Sequence, residues 1–368
     1  MIVEAVELHR IAMPLVRPFE TSFGVQHSRD VLLVHVRSDA GDGWGECVAM
    51  ADPFYSAEYV DGAQQIIERY LAPRILGRQI TAAGFADAVH GVVGHRMAKA
   101  AVEAALLDAE LRAAGASLAS ALGGVRQRVE CGVSVGIAPD LDTLLAEVDG
   151  YLAEGYRRIK LKIKPGWDVD PVARVRDLVG DGFPLQVDAN TAYTLDDLAQ
   201  LARLDAFGLL LIEQPFVEED IASHVALAAA IDTPVCLDES ILDARIAADA
   251  IDRGATSVVN IKAGRVGGYL EAVRVHDVAR SRGVPVWCGG MLETGIGRAA
   301  NVALASLPGF TLPGDTSASS RYFAEDITEP FELDDGTLHV PDRPGIGVTV
   351  RTDLVADFAS RPVVTVSA

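Results

Sequence analysis

Cysteine is scarce in this sequence, and its few cysteines form no paired motif. The four of them stand far apart, and none belongs to a Cys-x-x-Cys pair: Cys47, Cys131, Cys236 and Cys288. Scattered cysteines of this kind are typical of free, mostly buried thiols in a reducing compartment. We therefore expect a cytoplasmic protein.

Long apolar runs and an excess of positive charge are also missing. No hydrophobic stretch reaches the roughly 20 residues that a membrane-spanning helix needs. The start, MIVEAVELHRIAMPLV, carries charged residues, unlike a secretory signal peptide. Lys and Arg number 32 against 52 Asp and Glu, a formal net charge of −20. Such a chain repels nucleic acid and anionic membranes, and an anionic small substrate would need a local cationic site.

What the sequence does contain is a repeat. The chain has 368 residues, 49% of them hydrophobic, which suits a barrel plus a second domain. From about residue 130, an apolar run and a helical stretch recur about every 22 to 28 residues. The runs lie at 131–137, 158–163, 185–190, 209–215, 235–240, 257–264, 285–290 and 310–315. Eight such units predict an α/β fold, a parallel (β/α)8-type barrel with helices outside, rather than an open doubly wound sheet.

The segment before the repeat has a different pattern. AVELHRIAMPL and RDVLLVHVRSDAGDGWGEC resemble antiparallel strands, and residues 95–115 resemble a long helix that ends at Gly115. Strand-like pieces return after residue 320. We therefore expect an α+β capping domain over 1–125, completed by about 320–368, and a barrel domain over 126–319.

Three acidic residues follow three successive strand candidates, each 25 residues after the one before. Asp188 ends LQVD, Glu213 ends LLLIE and Asp238 ends VCLD. A single Asp in such a place is usually a helix cap or turn residue. Because the C-terminal ends of barrel strands meet at one mouth, however, these carboxylates would converge and repel unless a cation binds them. Oxygen-only ligands favour Mg²⁺ or Mn²⁺ over zinc.

Lysines flank these acids in strand order. In RRIKLKIKPGWD, Lys160, Lys162 and Lys164 alternate with apolar residues, a strand pattern. Lys162 lies on the second strand and Lys262 on the sixth, so we expect them on opposite sides of the metal, with pKa values lowered into the range of a general base. Lys160 should point the same way as Lys162 and depress its pKa, and Lys164 should lie at the surface beyond the strand.

Several motifs stand out along the chain: KLKIKPGWD, VDANTAYT, IEQP, LDES, NIKAGRVGG and CGGMLETGIGRAANVALASL, with FETSFG and GWGECV near the N-terminus. Together they resemble the motifs of the enolase superfamily. Within it, the chain resembles the muconate-lactonising subgroup, which has a lysine on each side of the substrate, and most of all the o-succinylbenzoate synthase and N-acylamino acid racemase group. The resemblance covers essentially the whole chain.

The resemblance implies a fold and a chemistry. The fold would be a (β/α)7β barrel with an α+β N-terminal capping domain. Asp188, Glu213 and Asp238 would hold Mg²⁺, for which Mn²⁺ or Co²⁺ could substitute. The ion would stabilise the enediolate formed when a proton α to the substrate carboxylate leaves, and Lys162 and Lys262 would be the acid/base pair.

The resemblance also implies supporting and specificity residues. Lys160, Asn190 and Glu239 would support the lysines and the metal. Two cap loops, 18–24 and 50–56, would close over the barrel mouth. The wall of the substrate pocket would be formed by Phe19, Met50, Tyr55, Ser134, Gly290, Met291 and Tyr322. The three side chains from the cap could equally be core residues of the domain interface.

The expected protein is a metal-dependent lyase or isomerase, homo-oligomeric, acting on a small anionic carboxylate. Where the substrate has a leaving group, the reaction would be dehydration of 2-succinyl-6-hydroxy-2,4-cyclohexadiene-1-carboxylate to o-succinylbenzoate, in menaquinone biosynthesis. Where it has none, an N-acyl (for example N-succinyl) amino acid would be racemised. The alternatives are a dipeptide epimerase or cycloisomerase of the same subgroup, a Schiff-base enzyme with Lys262 as nucleophile, and a non-catalytic binding barrel.

Overall fold

The N-terminal part of the molecule is built on an antiparallel sheet. The computed structural model describes residues 1–368. The sheet contains β1 (Val3–Thr21), β2 (Gly24–Ser38) and β3 (Gly41–Cys47), and the last strand of the chain, β13 (Val364–Ser367), pairs with the free edge of β1. Residues from the two ends of the chain therefore complete one sheet.

Helices follow this sheet in the chain, and the longest of them packs against β2 and β3. They are α1 (Val60–Ile66), a π-helical turn (Ile67–Leu71), α2 (Ala72–Ile75), α3 (Ala82–Ala88), α4 (Arg96–Ala114) and α5 (Leu118–Leu122). The long helix α4 can approach β3 closely because Gly45 has no side chain. A Cβ at Gly45 would lie 2.1 Å from the carbonyl oxygen of Ala101. As expected, α4 ends at Gly115, whose φ of 67° is the left-handed conformation of a helix cap.

Seven parallel strands, neighbours in sequence and in space, form most of the barrel. They are β5 (Gly132–Val135), β6 (Arg158–Lys162), β7 (Leu185–Asp188), β8 (Ile212–Glu213), β9 (Val235–Leu237), β10 (Val258–Ile261) and β11 (Val286–Cys288). Every residue of these strands is buried, as expected where helices cover the outer face of a parallel sheet.

The eighth strand candidate closes the barrel without becoming a regular strand. Phe310 forms a parallel bridge to Val286 of β11, and Gly314 forms one to Cys131, just before β5. Pro313 between them has no N–H to donate, so the segment is joined to its neighbours by isolated bridges. The predicted (β/α)7β-type barrel with an α+β cap is confirmed.

Helices follow the barrel strands. They are α6 (Leu141–Ala153), α7 (Val169–Val179), α8 (Leu198–Leu201), α9 (Ile221–Ala228), α10 (Ala244–Asp252), α11 (Ala263–Val266), α12 (Tyr269–Ser281) and α13 (Gly295–Ala305). Helix α8 lies between two 3₁₀ helices, Leu195–Asp197 and Ala202–Phe207, and a capping box of Thr194 and Asp197 begins the first of them. None of the helices combines the length and apolar character needed to cross a membrane.

The C-terminal segment returns to the first domain. A short 3₁₀ helix (Ser319–Arg321) precedes β12 (Thr337–His339), which pairs antiparallel with β4 (Arg128–Glu130). Helix α14 (Thr352–Asp357) then leads to β13. The domain boundaries at 125/126 and 319/320 remain predictions.

Replacing Gly45 with Ala should destabilise the capping domain. The new Cβ would collide with the backbone of α4, which cannot move without shifting the helix, and overpacking of this kind costs about 1–3 kcal/mol. Urea unfolding measures the effect. Gly150→Ala is the matched control: Gly150 is exposed in α6 with nothing within 4 Å of its added Cβ, so this change should be stabilising by up to about 1 kcal/mol. Unchanged stability of Gly45→Ala would contradict the close packing.

Candidate active site

Strand β6 places a column of basic side chains inside the barrel. Arg158, Lys160 and Lys162 alternate with apolar residues, and the period of two in a strand puts all three on one face. They are 0%, 1% and 8% exposed. The Arg158 guanidinium and the Lys160 ammonium lie 5.2 and 4.7 Å from the ring centroid of Trp287. Lys164 lies past the strand, partly exposed, 3.4 Å from Glu20.

The three acids of the sequence pattern lie at the same mouth as Lys162. Asp188 pairs in register with Lys162 on one side and with Glu213 on the other, and Asp238 follows the C-terminal end of β9. Their side chains are at most 1% exposed. Charges this deeply buried require partners inside the protein.

The two predicted acid/base lysines contact the two ends of this row. Lys162 Nζ lies 2.6 Å from Asp188 Oδ2, and Lys262 Nζ lies 2.6 Å from Asp238 Oδ2. The structure therefore brings together the five residues that the strand order selected.

A fourth carboxylate, which the sequence analysis did not select, belongs to the same network. Lys160 Nζ lies 2.7 Å from Asp315, 3.1 Å from Glu213 and 3.4 Å from Asp188. Asp315 also accepts a 2.8 Å hydrogen bond from Arg158. Asp315 could have been predicted from its position, because it ends the eighth apolar run, FTLPGD, just as the other three acids end the runs before them.

The pKa shifts of the network follow from burial and from these pairs. Burial lowers the pKa of Lys262, but the charges of the surrounding acidic groups, Asp238 first among them, together outweigh it, and the pKa is raised well above its usual value. Burial likewise lowers the pKa of Lys160, but the charges of Asp315, Glu213 and Asp188 together raise it above its usual value. Burial and the negative charge of Asp188 raise the pKa of Glu213. The lowered pKa that the sequence predicts for Lys162 and Lys262 depends on a bound cation beside them, and it stays a prediction.

Asn190 and Glu239 form a chain of hydrogen bonds to Lys162. Lys162 Nζ donates to Asn190 Oδ1 at 2.6 Å, and Asn190 Nδ2 donates to Glu239 Oε1 at 3.0 Å. Burial, followed by the charge of Asp238, raises the pKa of Glu239 to about 7. Asn190 has a φ of 40°, which is uncommon outside glycine, so its surrounding contacts hold the backbone in a strained conformation.

The donor set of the acid row suits a divalent cation. Asp238 Oδ1 is buried without a hydrogen-bond partner, which leaves a carboxylate oxygen free where polar atoms are normally paired. Oxygen donors alone favour Mg²⁺ or Mn²⁺. To share one ion, the three acids would have to approach one another, because the only group with ligand atoms all within 4.8 Å of one another lies elsewhere, at Glu7, His9 and His35.

A cavity above the lysines is lined by residues from both domains. The Tyr55 hydroxyl, from cap loop 50–56, accepts a 3.0 Å hydrogen bond from Lys262 Nζ. The rings of Phe19 and Tyr322 meet edge to face, with centroids 6.3 Å apart. All seven residues predicted to form the pocket wall line this one cavity: Phe19, Met50, Tyr55, Ser134, Gly290, Met291 and Tyr322. Lys160, Lys162, Asn190 and Lys262 line its floor.

Four further lining residues, apart from Asp315, were not anticipated: Thr21, Phe23, Gln26 and Leu292. The predicted cap loop 18–24 is mostly strand, since β1 extends to Thr21 and β2 begins at Gly24. Phe23 lies in the tight turn between them, and its ring centroid is 5.5 Å from that of Tyr55. Leu292 follows Met291 and has a φ of 58°. For Phe23 and Leu292, the available signal in the sequence was that each lies next to residues already predicted to belong to the site. Gln26 lies on β2, where the sequence gives no sign of a site.

Behind Lys262, a buried carboxylate joins the cap to the barrel. Glu46 of β3 accepts hydrogen bonds from the Thr294 amide (3.1 Å), the Thr294 hydroxyl (2.7 Å) and the Gly297 amide (3.0 Å). Amides at the start of α13 are thereby satisfied by the other domain. Burial, followed by the charge of Glu293, raises the pKa of Glu46 to about 7.

Glu46→Gln should remove a pH-dependent loss of stability. The pKa of Glu46 is about 7 in the folded protein against a reference of 4.5, so the folded state binds the proton more tightly. The stability that this proton confers is lost as pH rises from about 4.5 to about 7, by about 3 kcal/mol in total. Urea unfolding at pH 5 and pH 8 should show wild type losing more stability than Glu46→Gln. Exposed Glu4→Gln serves as control, and identical pH profiles for wild type and Glu46→Gln would contradict this assignment.

Comparison with known families identifies the class of protein. Residues 143–354 match the enolase C-terminal domain-like family model, and residues 5–123 match the N-terminal domain of mandelate racemase / muconate lactonizing enzyme. The chain therefore belongs to the enolase superfamily. Enzymes of this superfamily combine a lysine or histidine base with a bound divalent metal ion.

Individual relatives extend over almost the whole chain. N-succinylamino acid racemase from Amycolatopsis sp is 61% identical over 364 residues, 99% of each chain. o-Succinylbenzoate synthase from Geobacillus kaustophilus is 46% identical over 351 residues, 95% of this chain and 93% of the other. A solved enolase-superfamily structure from Listeria innocua has a TM-score of 0.95 at 37% identity and covers 100% of this chain and 99% of its own. The predicted superfamily and the prediction of an enzyme are confirmed.

Proposed function

We propose that the chain abstracts a proton α to a carboxylate, and thereby racemises N-succinylamino acids or dehydrates 2-succinyl-6-hydroxy-2,4-cyclohexadiene-1-carboxylate to o-succinylbenzoate. One observation carries this proposal. Two buried lysines, Lys162 and Lys262, contact opposite ends of a buried carboxylate row beneath a cavity roofed by the cap. Relatives with 61% and 46% identity bear the names of these two activities.

Lys162 and Lys262 hold and move the proton in this proposal. Both ammonium groups line the cavity, so a substrate between them presents one face of its α-carbon to each. One lysine removes the proton, and for racemisation the other returns a proton to the opposite face. Dehydration needs one base only, and the second lysine then stands as a cation beside the developing negative charge.

Asp188, Glu213 and Asp238 are the proposed ligands of Mg²⁺, with Mn²⁺ or Co²⁺ as substitutes. A bound divalent ion supplies positive charge that stabilises the negative charge developing on the substrate carboxylate. The positive charge of Lys160, beside Glu213, balances part of the negative charge of the acids. Asn190 and Glu239 together orient Lys162 through hydrogen bonds.

The cavity wall is the proposed source of specificity. Phe19, Met50 and Tyr55 from the cap, with Met291 and Tyr322 from the barrel side, give it an apolar and aromatic surface suited to an acyl chain or a cyclohexadiene ring. Ser134 and Gly290 complete the wall. The cytoplasmic location, the homo-oligomeric state and a role in menaquinone biosynthesis remain predictions.

Chelation of divalent metal should abolish turnover, and Mg²⁺, Mn²⁺ or Co²⁺ should restore it. Glu213→Gln should weaken metal binding by more than about tenfold, since one charged ligand is lost. Calorimetric titration with Mn²⁺ measures the affinity. Exposed Glu219→Gln, six residues along the chain, is the control and should bind metal as wild type does. Full turnover by protein verified to be free of metal would refute the proposed role of the acid row.

Loss of one lysine should leave α-proton exchange for one enantiomer only. Lys162→Ala and Lys262→Ala should each abolish racemisation, because removal of a general base typically costs about 10²–10⁴-fold. Proton NMR in D₂O, with each enantiomer of an N-succinylamino acid, should show opposite preferences in the two variants. Lys164→Ala, beyond the end of β6, should exchange both enantiomers. If both active-site variants also exchanged both enantiomers equally, the two-face mechanism would be wrong.

A further inference from the structure

Three side chains that the proposed function does not use converge on one face of the capping sheet. Glu7 and His9 lie on β1, and His35 lies on β2 in register with Glu7. Glu7 Oε2 is 3.1 Å from His35 Nδ1 and 3.7 Å from His9 Nε2. One ligand atom of each side chain lies within 4.8 Å of the other two. None of the three lines the active-site cavity.

We propose that Glu7, His9 and His35 form a second metal site, which binds a divalent transition-metal ion of the zinc class. A set of two imidazole nitrogens and one carboxylate suits zinc, whereas Mg²⁺ prefers oxygen ligands alone. The donor set therefore differs from the oxygen-only acid row of the barrel. The two sites should select different ions.

The state of His9 supports this assignment. Its Nε2 atom is buried and has no hydrogen-bond partner, although the neighbouring Glu7 and His35 are hydrogen-bonded to each other. A ring nitrogen of a neutral imidazole that has no hydrogen-bond partner is free to bind a metal ion.

The surroundings of His35 resemble those of a metal-bound histidine. Its Nδ1 atom faces Glu7, whereas its Nε2 atom lies 3.4 Å from Asp42 Oδ2. Histidine ligands commonly donate their second ring N–H to a carboxylate, which fixes the tautomer and the ring orientation. Arg37 lies 3.4 Å from Glu7 Oε1, the other carboxylate oxygen, so Oε2 is left facing the two imidazoles.

Trp44 holds both imidazoles in place. Its ring stacks on His35 with centroids 4.1 Å apart and an interplanar angle of 9°, and it lies 5.2 Å from the ring of His9. Glu7 also pairs in register with Thr365 of β13. An ion at this site would thus link β1 to β2 at the residue of β1 that also pairs with β13. Its binding would stabilise the capping domain.

Cobalt absorption in excess Mg²⁺ tests the site. Co²⁺ bound to imidazole nitrogens at low coordination absorbs strongly in the visible, whereas six-coordinate Co²⁺ with oxygen ligands absorbs weakly. Wild type and Glu213→Gln should each bind one strongly absorbing Co²⁺ per chain, displaced by Zn²⁺. His9→Gln and His35→Gln should weaken this binding at least about tenfold. His90→Gln removes an exposed imidazole elsewhere and should leave it unchanged.

Thermal unfolding gives a second readout that does not depend on activity. Zn²⁺ should raise the Tm of Glu213→Gln by about 2–5 °C, and should not raise that of the same protein with His9→Gln added. Glu7→Gln provides a further variant if a histidine substitution impairs folding. Absence of strongly absorbing Co²⁺ from wild type, or equal absorption in His9→Gln and His35→Gln, would overturn the proposal. Either result would leave the proposed function of the barrel untouched.

Discussion

Charge compensation inside the barrel is the constraint on which the rest of the structure depends. Four buried carboxylates face four buried basic groups: Asp188, Glu213, Asp238 and Asp315, with Arg158, Lys160, Lys162 and Lys262. A buried charge that loses its partner destabilises a protein by about 3–5 kcal/mol. The register of β6, β7 and β8 sets Lys162, Asp188 and Glu213 side by side, so the fold and the candidate site cannot be separated.

Much of this could be predicted because the signals are local to each strand. An apolar run that ends in an acid marks both a buried parallel strand and its functional end, as at Asp188 and Glu213. The alternation in β6 likewise predicts that Lys160 and Lys162 lie on the same face of the strand, without knowledge of any other strand. Shared motifs added the superfamily, and with it the cap loops. The eighth run was less informative, since Pro313 interrupts its hydrogen bonding, and Asp315 was overlooked there.

Distances between strands could not be predicted in the same way. Lys160 meets Asp315 only because the barrel closes between its first and last strands, a contact 155 residues apart in sequence. The raised pKa of Lys262 depends on a 2.6 Å approach to Asp238, which strand order alone does not give. The wall residue Gln26 lies on a strand of the cap sheet, and only the docking of the two domains places it at the cavity.

The pairing of β13 with β1 has a consequence for the order of folding. Val364–Ser367 lie more than 350 residues after the segment of β1 that they join, so this contact has an exceptionally long loop to close. On the ribosome, the outer edge of β1 stays without its neighbour until the entire barrel has emerged. An open strand edge is a template for pairing with other chains. The nascent protein therefore keeps an aggregation-prone edge on its first strand long after that strand was made.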